Sequence, residues 1–412
     1  YSHTKDVTMF LVRYLEGLAN IRKVLLNRQV HNYLRLEISG ESVKFPHVWL
    51  RDNCQCDQCY HQSAKSRILD WNKFDLNVTP EEISKGPNSV KVIWSDGHQS
   101  EYKINWLKFR RFRRESQLNY NETIYKPTKK TWNIENFEEI FTKHDYNDIL
   151  KSDEALYDWL YNLSVYGVTL IQNAPDSDTA IDGVLERVAF PKRTHYGDKF
   201  IVQSGPNVNH VANLTRNLQM HTDLTYYEYG PGSNLLHFKV QTQSLGGGNL
   251  LSDGHYVADH MKQHYPQQYK LLTDTEVEWN NIGAEQGNEF FKLRRAPVIH
   301  LNIDGQISRI NFSVSQRSSY FPGPIESVAP WYDAYKLFLD LNHRFAANFK
   351  TRTGQILVFD NMRLLHSREA YEDSDNNVRK VIGAYLDWDE IYSRLRCLTI
   401  KFKNEDALVS FQ

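Results

Sequence analysis

The chain has 412 residues, and its 49 Lys and Arg against 50 Asp and Glu give a formal charge of −1, so no net field favours nucleic acid or an anionic membrane. With 41% hydrophobic and 13% aromatic residues, 20 Gly and 13 Pro, it is neither collagen-like nor wholly disordered. Four cysteines are too few for a secreted disulfide scaffold. The length suits two domains, or one enlarged domain with an appendage.

The N-terminal residues 1–30 are predicted to be an extension of the folded chain. Their longest apolar stretch, residues 9–26, is interrupted by charges such as Arg13 and Glu16, which excludes a membrane span. The same stretch is weakly basic and amphipathic. We expect an ordinary first helix, with the remnant of a targeting peptide as the alternative.

Residues 31–114 have the pattern of a small β-rich domain. Short runs that are rich in β-forming residues predict strands at 33–38, 43–45, 47–50 and 90–94, with a turn at 95–98. So few strands enclose a thin core, and we expect a bound metal to stabilise it. The polar stretch 115–131 is predicted to be a linker.

Residues 132–412 are predicted to form the larger domain. Apolar periodicity predicts helices at 136–141, 154–164, 180–188 and 331–342. Turn-punctuated strands are predicted at 167–171, 235–241, 249–252, 298–302, 307–312, 355–359 and 381–386. The number and spacing of these strands indicate a mainly β jelly roll with flanking helices.

A cysteine cluster in the small domain predicts a zinc site formed by Cys54, Cys56 and Cys59. Thiolates at this spacing can face one Zn²⁺, which needs a fourth ligand. His98, in the turn after a strand, is the preferred fourth ligand, with His47 and His61 as alternatives. The competing interpretations are three free buried thiols, or one disulfide and a spare thiol. A site closed by four protein ligands would be structural.

A second metal site is predicted from His221-Thr-Asp223. Residues two apart on an extended segment share a face, and among the 16 histidines only His221 is followed at this distance by an acid. His366 would complete a two-histidine, one-carboxylate triad typical of non-haem Fe(II). Arg379 follows at the start of an apolar strand, where its guanidinium suits the distal carboxylate of 2-oxoglutarate.

Several motifs together resemble the γ-butyrobetaine dioxygenase family, and the likeness extends over nearly the whole chain from about residue 49 to 403. The sister family is trimethyllysine dioxygenase. The motifs are WLRDNCQCDQC from Trp49, SAKSR from Ser63, HTD from His221, FDNMRLLH ending at His366, Arg379, YLDW from Tyr385 and SRLR from Ser393.

The resemblance implies a double-stranded β-helix (jelly-roll) oxygenase domain with flanking helices behind a small β-rich zinc domain. It implies that Fe(II), bound by the triad, and 2-oxoglutarate serve hydroxylation of γ-butyrobetaine to L-carnitine, with release of succinate and CO2. It also implies O2 as a reactant, ascorbate as the reductant, and zinc at Cys54, Cys56, Cys59 and His98. Arg379 would bind the cosubstrate, and Asn249 matches a polar residue that assists it.

The resemblance further implies a cage of aromatic rings around the trimethylammonium group of a small carboxylate substrate, because this cation offers no N–H to a hydrogen bond. The matching positions are Tyr196, Phe200 and Tyr385. A fourth position that is aromatic in the family is Asn213 here. His210 and Asn311 match the contacts to the substrate carboxylate, although the family has Asn where this chain has His210.

These substitutions keep trimethyllysine hydroxylation, or hydroxylation of a related quaternary amine or amino acid, as the alternative activity. From the family we expect a homodimer. The compartment of γ-butyrobetaine enzymes predicts a cytoplasmic location, and that of trimethyllysine enzymes gives the mitochondrion as the alternative. No nucleic-acid or membrane partner is predicted.

The basic run KFRRFRR, residues 108–114, supports an interpretation of a different class. Arginines that alternate with aromatic residues beside a zinc unit are compatible with a nucleic-acid-binding module attached to an inactive β-helix. A solvated face is the more common role of such a run.

Overall fold

The computed structural model describes residues 32–38, 40–203, 214–285, 287–372 and 379–403. They belong to two compact units, which divide between Asn121 and Glu122. This division lies inside the stretch predicted as a linker, and the first part of that stretch is helical. The predicted extension, residues 1–30, lies outside the described residues. Across the described residues, no helix is both long and apolar enough to cross a membrane.

The described residues of the first unit form short antiparallel sheets, three α-helices and a 3-10 helix at Trp71–Lys73. Its strands are β1 (Tyr33–Ile38), β2 (Glu41–Pro46), β3 (Tyr60–His61), β4 (Ser66–Arg67), β5 (Pro80–Lys85), β6 (Ser89–Trp94) and β7 (Gln99–Lys103). The pairs β1–β2 and β3–β4 are two-stranded sheets, and β5–β6–β7 is a three-stranded sheet. The helices are α1 (His47–Asp52), α2 (Ile104–Phe109) and α3 (Arg114–Tyr120).

Side chains on one face of each strand fill the small core of the first unit, because buried and exposed residues alternate along the strand. In β6, Val90, Val92 and Trp94 are buried while Lys91 between them is exposed, as the two-residue period of a strand requires. The strand predicted at 47–50 is wrong, because these residues form α1. Helical spacing allows His47 and Leu50, three residues apart, to be buried together, and a short apolar run does not distinguish the two structures.

The basic run of the first unit is partly engaged within that unit. Arg111 Nη1 lies 3.1 Å from Glu41 Oε2, and Arg113 forms an ion pair with the same carboxylate. The Arg110 guanidinium lies 4.4 Å from the Trp106 ring centroid, within the range of a cation–π contact. These intramolecular partners favour a structural role for the run.

The second unit contains two main sheets. The strands of the unit are β8 (Thr142–Asp145), β9 (Val168–Gln172), β10 (Lys199–Gln203), β11 (Leu218–His221), β12 (Ser233–Val240), β13 (Asn249–Asp253), β14 (Val277–Glu285), β15 (Asn288–Ala296), β16 (Ile299–Leu301), β17 (Ile307–Ile310), β18 (Ala347–Phe349), β19 (Gln355–Asp360), β20 (Leu364–Arg368) and β21 (Lys380–Leu386). The six-stranded sheet has the order β10–β21–β12–β19–β9–β8, and the four-stranded sheet has the order β11–β20–β13–β18. A hairpin, β14–β15, and a pair, β16–β17, lie outside them.

The two main sheets are covered by helices and share one apolar layer. In β19, Leu357 and Phe359 join a cluster with Leu364 of the other sheet, while Ile356 and Val358 face a cluster that contains helical residues. The strand is therefore apolar on both faces, as a buried strand must be. The helices are α4 (Phe137–Ile140), α5 (Tyr146–Lys151), α6 (Asp153–Tyr166), α7 (Ala180–Val188), α8 (Gly254–His264), α9 (Pro266–Asp274), α10 (Ile325–Phe345) and α11 (Trp388–Lys403).

The predicted jelly-roll architecture is confirmed by these two sheets with outer helices, but several elements were not predicted. In the second unit they are α5, α8, α9, α11, the hairpin β14–β15 and the strands β8, β10, β11, β18 and β20. In the hairpin, β15 is exposed on nearly alternate residues, whereas β14 begins with three buried residues. His366 lies inside β20.

A fully buried ion pair links the end of β13 to the residue before β20. Arg363 Nη2 lies 2.7 Å from Asp253 Oδ2, and neither side chain is exposed. Arg363 also donates to the Val165 carbonyl oxygen at 3.0 Å, and Trp132 N donates to Asp253 Oδ2 at 3.0 Å. Because each partner is also hydrogen-bonded to backbone, the buried charges are well satisfied.

Candidate active site and metal centres

The predicted zinc ligands meet in the first unit. His98 Nε2 lies 3.3 Å from Cys54 Sγ and 3.4 Å from both Cys56 Sγ and Cys59 Sγ. Tetrahedral zinc, with bonds of about 2.3 Å to sulfur and 2.0 Å to nitrogen, separates these atoms by roughly 3.5 Å. The four donors therefore fit one Zn²⁺, and all four cysteines of the chain are free of disulfides.

The surroundings of the cluster favour metal over free thiols. Burial raises the pKa of the Cys54 thiol to about 12, so the thiolate needs a cation to exist at neutral pH. Arg51 Nη1 donates to Cys59 Sγ at 3.4 Å and Arg51 Nε to Asp96 Oδ2 at 2.8 Å. Asp96 Oδ1 in turn accepts from His98 N at 3.0 Å, which fixes the turn that presents the imidazole. His47 and His61 are not part of the cluster.

The predicted iron ligands meet at the four-stranded sheet of the second unit. His221 ends β11, Asp223 lies in the following turn, and His366 lies opposite His221 across β11–β20. His221 Nε2 and His366 Nε2 lie 3.2 and 3.7 Å from Asp223 Oδ1. One metal ion can span these distances, and two imidazoles with one carboxylate are the donors that Fe(II) takes in oxygenases.

The protonation states of His366 and Asp223 suit metal binding. Burial, reinforced by His221, lowers the pKa of His366 to about 3, so its ring is neutral and offers a lone pair. Burial opposes the charge of Asp223, but His366 and His221 outweigh it and lower the pKa of the carboxyl to about 2. The site therefore presents an ionised carboxylate at neutral pH.

The second oxygen of Asp223 is held away from the histidines. Asn234 Nδ2 donates to Asp223 Oδ2 at 2.6 Å, and the Tyr385 hydroxyl donates to the same oxygen at 3.1 Å. Asn361 fixes the backbone, because its side-chain oxygen accepts from Asp223 N at 2.7 Å and its nitrogen donates to Asp223 O at 3.0 Å. Only Oδ1 of Asp223 is left to face the two imidazoles.

Arg379 stands immediately before β21, next to the sheet that carries Tyr385. It is 4% exposed, and its Nε is buried without a partner among the described residues. Burial and the nearby Arg368 lower the pKa of Arg379 to about 10, which leaves it charged at neutral pH. Asn249 donates from Nδ2 to Thr351 Oγ1 at 3.1 Å, and no contact joins it to Arg379 in the described parts of the chain.

The predicted cage residues form a row of rings that ends at the iron ligands. The centroids of Tyr196 and Phe200 are 6.2 Å apart, and those of Phe200 and Tyr385 are 5.0 Å apart. Burial raises the pKa of Tyr196 to about 12 and that of Tyr385 well above its usual value. Both phenols therefore keep their protons, and their neutral rings can face a cation.

The predicted carboxylate contacts are only partly visible. Asn311 is fully buried beside the backbone of Phe312, which hydrogen-bonds Thr222 between the first two iron ligands. Asn311 Nδ2 lies 2.6 Å from His300 Nε2, and Oδ1 has no partner among the described residues. His210 and Asn213 lie outside the described residues.

The roles of Asn361, Asn234 and Tyr226 are apparent only from the structure. Asn361 lies in the FDN motif, and the motif identifies the residue but not its contacts with Asp223. Tyr226 accepts from Asn281 Nδ2 at 2.8 Å and is hydrogen-bonded to the Tyr196 hydroxyl. Asn234 is one polar residue in an apolar strand, and no spacing in the sequence connects it to Asp223.

Two family models match the chain, one for each unit. Residues 27–108 match the N-terminal model of gamma-butyrobetaine hydroxylase-like proteins. Residues 125–385 match the model of the taurine catabolism dioxygenase TauD, TfdA family. The second match covers more than half of the chain and includes every proposed iron ligand.

Curated relatives align along most of the chain. Gamma-butyrobetaine dioxygenase of Homo sapiens is 35% identical over 366 residues, which cover 88% of this chain and 93% of the human protein. Trimethyllysine dioxygenase of Meyerozyma guilliermondii is 28% identical over 88% of this chain and 92% of its own length. Gamma-butyrobetaine dioxygenase of a Pseudomonas species is 27% identical over 87% and 91%.

Replacing Cys56 by Ser should abolish zinc binding and unfold the first unit selectively, because that unit has a small core and its metal site would lose one of four ligands. We expect zinc, measured by atomic emission, to fall from one equivalent per chain to nearly none. Limited proteolysis should then cut within residues 32–121 first. Cys397→Ser, at an exposed free thiol, is the control and should retain its zinc; one equivalent in C56S would contradict the assignment.

Replacing Asn234 by Leu should weaken metal binding by about 10–100-fold, the usual effect of losing an outer hydrogen bond to a ligand. Oδ2 of Asp223 would then be held only by the Tyr385 hydroxyl, so the carboxylate would be freer to turn and to place its second oxygen at a position that the cosubstrate requires. Dissociation constants for Mn²⁺ and for 2-oxoglutarate should both increase. Asn342→Leu is the matched control, since Asn342 is a buried amide bonded to Ser252 Oγ. Equal losses in both variants would indicate general destabilisation instead.

Proposed function

The chain belongs to the gamma-butyrobetaine dioxygenase family, whose members are Fe(II)- and 2-oxoglutarate-dependent oxygenases, and we propose that it hydroxylates γ-butyrobetaine to L-carnitine, with succinate and CO2 as the other products. The choice of substrate class rests on the position of Tyr385. Tyr385 is both the last ring of the aromatic row and a hydrogen-bond donor to Asp223. A cation seated on the row is therefore held next to the metal ligands.

His221, Asp223 and His366 would hold the iron through two nitrogens and one oxygen. Bound there, Fe(II) supplies the redox chemistry that couples decarboxylation of 2-oxoglutarate to hydroxylation of a C–H bond. The protein contributes the arrangement. Asn361 and Asn234 fix the carboxylate of Asp223, so that it offers the metal one oxygen and the remaining positions stay available to the reactants.

Arg379 would bind the distal carboxylate of 2-oxoglutarate. A buried guanidinium with an unused donor requires an anion, since an unpaired charge in the interior is costly. The two-pronged geometry of arginine matches a carboxylate. Asn249 is engaged by Thr351, so its contribution would be to shape the wall of the pocket.

The trimethylammonium group would lie against Tyr196, Phe200 and Tyr385. A quaternary ammonium ion cannot donate a hydrogen bond from nitrogen and is recognised by the negative faces of aromatic rings. The hydroxyl of Tyr226 positions the Tyr196 ring through their hydrogen bond. At the other end, Asn311 and His210 would contact the substrate carboxylate, which fixes the distance from the cation to the reacting carbon.

Trimethyllysine hydroxylation is the second candidate, favoured by the departures from the family pattern at His210 and Asn213. Trimethyllysine has the same cation and an additional α-ammonium group at the other end. The relatives named trimethyllysine dioxygenase show that both substrates occur among similar chains. The greater identity to the human γ-butyrobetaine enzyme favours γ-butyrobetaine.

We also propose a cytoplasmic homodimer, with the mitochondrion as the alternative location because mammalian relatives named trimethyllysine dioxygenase are mitochondrial. Ascorbate is the reductant that we expect to maintain activity. Light scattering coupled to size exclusion tests the dimer, and cell fractionation tests the compartment.

The iron-loaded protein should form a product that is one oxygen atom heavier from γ-butyrobetaine, detected by mass spectrometry, with one succinate per product. His221→Ala should abolish substrate-dependent succinate formation, because one of three protein ligands is lost. His264→Ala, at an exposed helical histidine, should leave turnover unchanged. Product from trimethyllysine alone would assign the protein to the sister activity, and turnover in H221A would refute the triad.

Replacing Phe200 by Leu should raise the Kd for γ-butyrobetaine about 3- to 30-fold, because one cation–π contact contributes roughly 0.5–2 kcal/mol. The analogue 5,5-dimethylhexanoate has the same shape and the same carboxylate, with an uncharged tert-butyl group in place of the trimethylammonium group. Its binding, measured by calorimetry, should be weak and nearly the same in both proteins. A similar loss for the two ligands would mean that the ring provides shape and not attraction for the cation.

A further inference from the structure

A buried arginine outside the active-site assignment has no partner among the described residues. Arg309 lies in β17 and is only 7% exposed. It makes no hydrogen bond or ion pair within the described parts of the chain, and its Nε is completely buried. Burial, together with Arg294, lowers the pKa of Arg309 to about 9, which still leaves it charged at neutral pH. Such a charge is retained in an interior only at a high cost in free energy.

A second arginine lies near it and is only weakly paired. Arg294, on β15, has a side chain that is 12% exposed, and its Nη1 is buried without a partner in the described structure. Its one acidic contact is Glu228, at 3.5 Å from Nε to Oε2. The Glu228 side chain is 74% exposed and therefore well solvated. Glu276 acts on Arg294 only through space.

The neighbouring histidine does not compensate the charge. His300 faces Arg309 across the β16–β17 pair. Burial and the two arginines lower the pKa of His300 to about 4, so the ring is neutral at physiological pH. In the described structure the Glu228 carboxylate contacts Arg294 and not Arg309, so these two guanidinium groups together with Glu228 carry a net charge of +1.

A glycine preserves the position of the Arg309 guanidinium. A Cβ built on Gly230 would overlap Arg309 Nη2 and would lie 3.0 Å from Cζ. The guanidinium therefore lies directly against the backbone of the turn that contains Gly230. Any other residue there would displace it, so this backbone contact holds the group in place without neutralising it.

We propose that Arg309 and Arg294 form a binding site for a small carboxylate monoanion, distinct from the 2-oxoglutarate pocket at Arg379. The paired N–H groups of a guanidinium match the two oxygens of a carboxylate. A single negative charge balances the cluster, whereas a phosphate dianion would overcompensate it. Because His300 also contacts Asn311 at 2.6 Å, an occupied site would stabilise one wall of the substrate pocket.

The test is thermal unfolding of the full chain with its zinc unit intact, with zinc(II) in place of iron and with saturating 2-oxoglutarate, so that the Arg379 pocket is filled. Sodium acetate is compared with sodium chloride at equal concentration. Acetate at tenfold above its Kd should raise the Tm of the wild type by about 2–4 °C more than chloride does. Arg309→Met should fold, because an apolar side chain replaces an unpaired buried charge, and should lose this increment.

Arg295→Met is the matched control. Arg295 is the next residue on β15, half exposed and paired with Glu278 at 3.4 Å, so its loss should leave the acetate increment unchanged. The ¹³C signal of labelled acetate gives a second readout, with a bound-state shift in the wild type that is absent in R309M. An equal increment with chloride, an equal increment in R309M, or no acetate binding to the wild type would each overturn the proposal.

Discussion

The active site depends on the different contacts that the two carboxylate oxygens of Asp223 make. Oδ1 faces His221 and His366, whereas Oδ2 accepts from Asn234 and Tyr385. A carboxylate that is buried and ionised must have its charge satisfied, and here donors occupy one oxygen while the other is left for a metal. The direction of the carboxylate is thus set by protein groups before any metal arrives.

The donors to Asp223 come from the six-stranded sheet, and the histidines come from the four-stranded sheet. The iron site therefore requires both sheets in their native register, since a slip of one residue in β12 or β21 would turn Asn234 or Tyr385 to the other face. Tyr385 also belongs to the aromatic row. The same side chain therefore lines the proposed cation site and helps to orient the Asp223 carboxylate. Rigid strands hold such a geometry more precisely than loops would.

The first unit has a small hydrophobic core. Its four candidate zinc ligands are positioned by hydrogen bonds of Arg51 and Asp96. A closed set of three thiolates and one imidazole leaves no position for a substrate, so this metal would serve stability. The chain thus combines four candidate ligands that would close around a metal in the first unit with three candidate ligands in the second unit that would leave positions open.

The sequence predicts the candidate ligand types, two domains and half of the strands of the two main sheets, because metal ligands, glycine turns and two-residue apolar alternation are local signals. It did not determine α1, the hairpin β14–β15 or the place of His366 within β20. Strand pairing brings Asn234 and Tyr385 to one oxygen of Asp223, and it leaves Arg309 buried without a partner among the described residues. Tyr385 is 162 residues from Asp223 in the chain and Asn234 is 11 residues from it, and these contacts exist only after the strands have paired and excluded water.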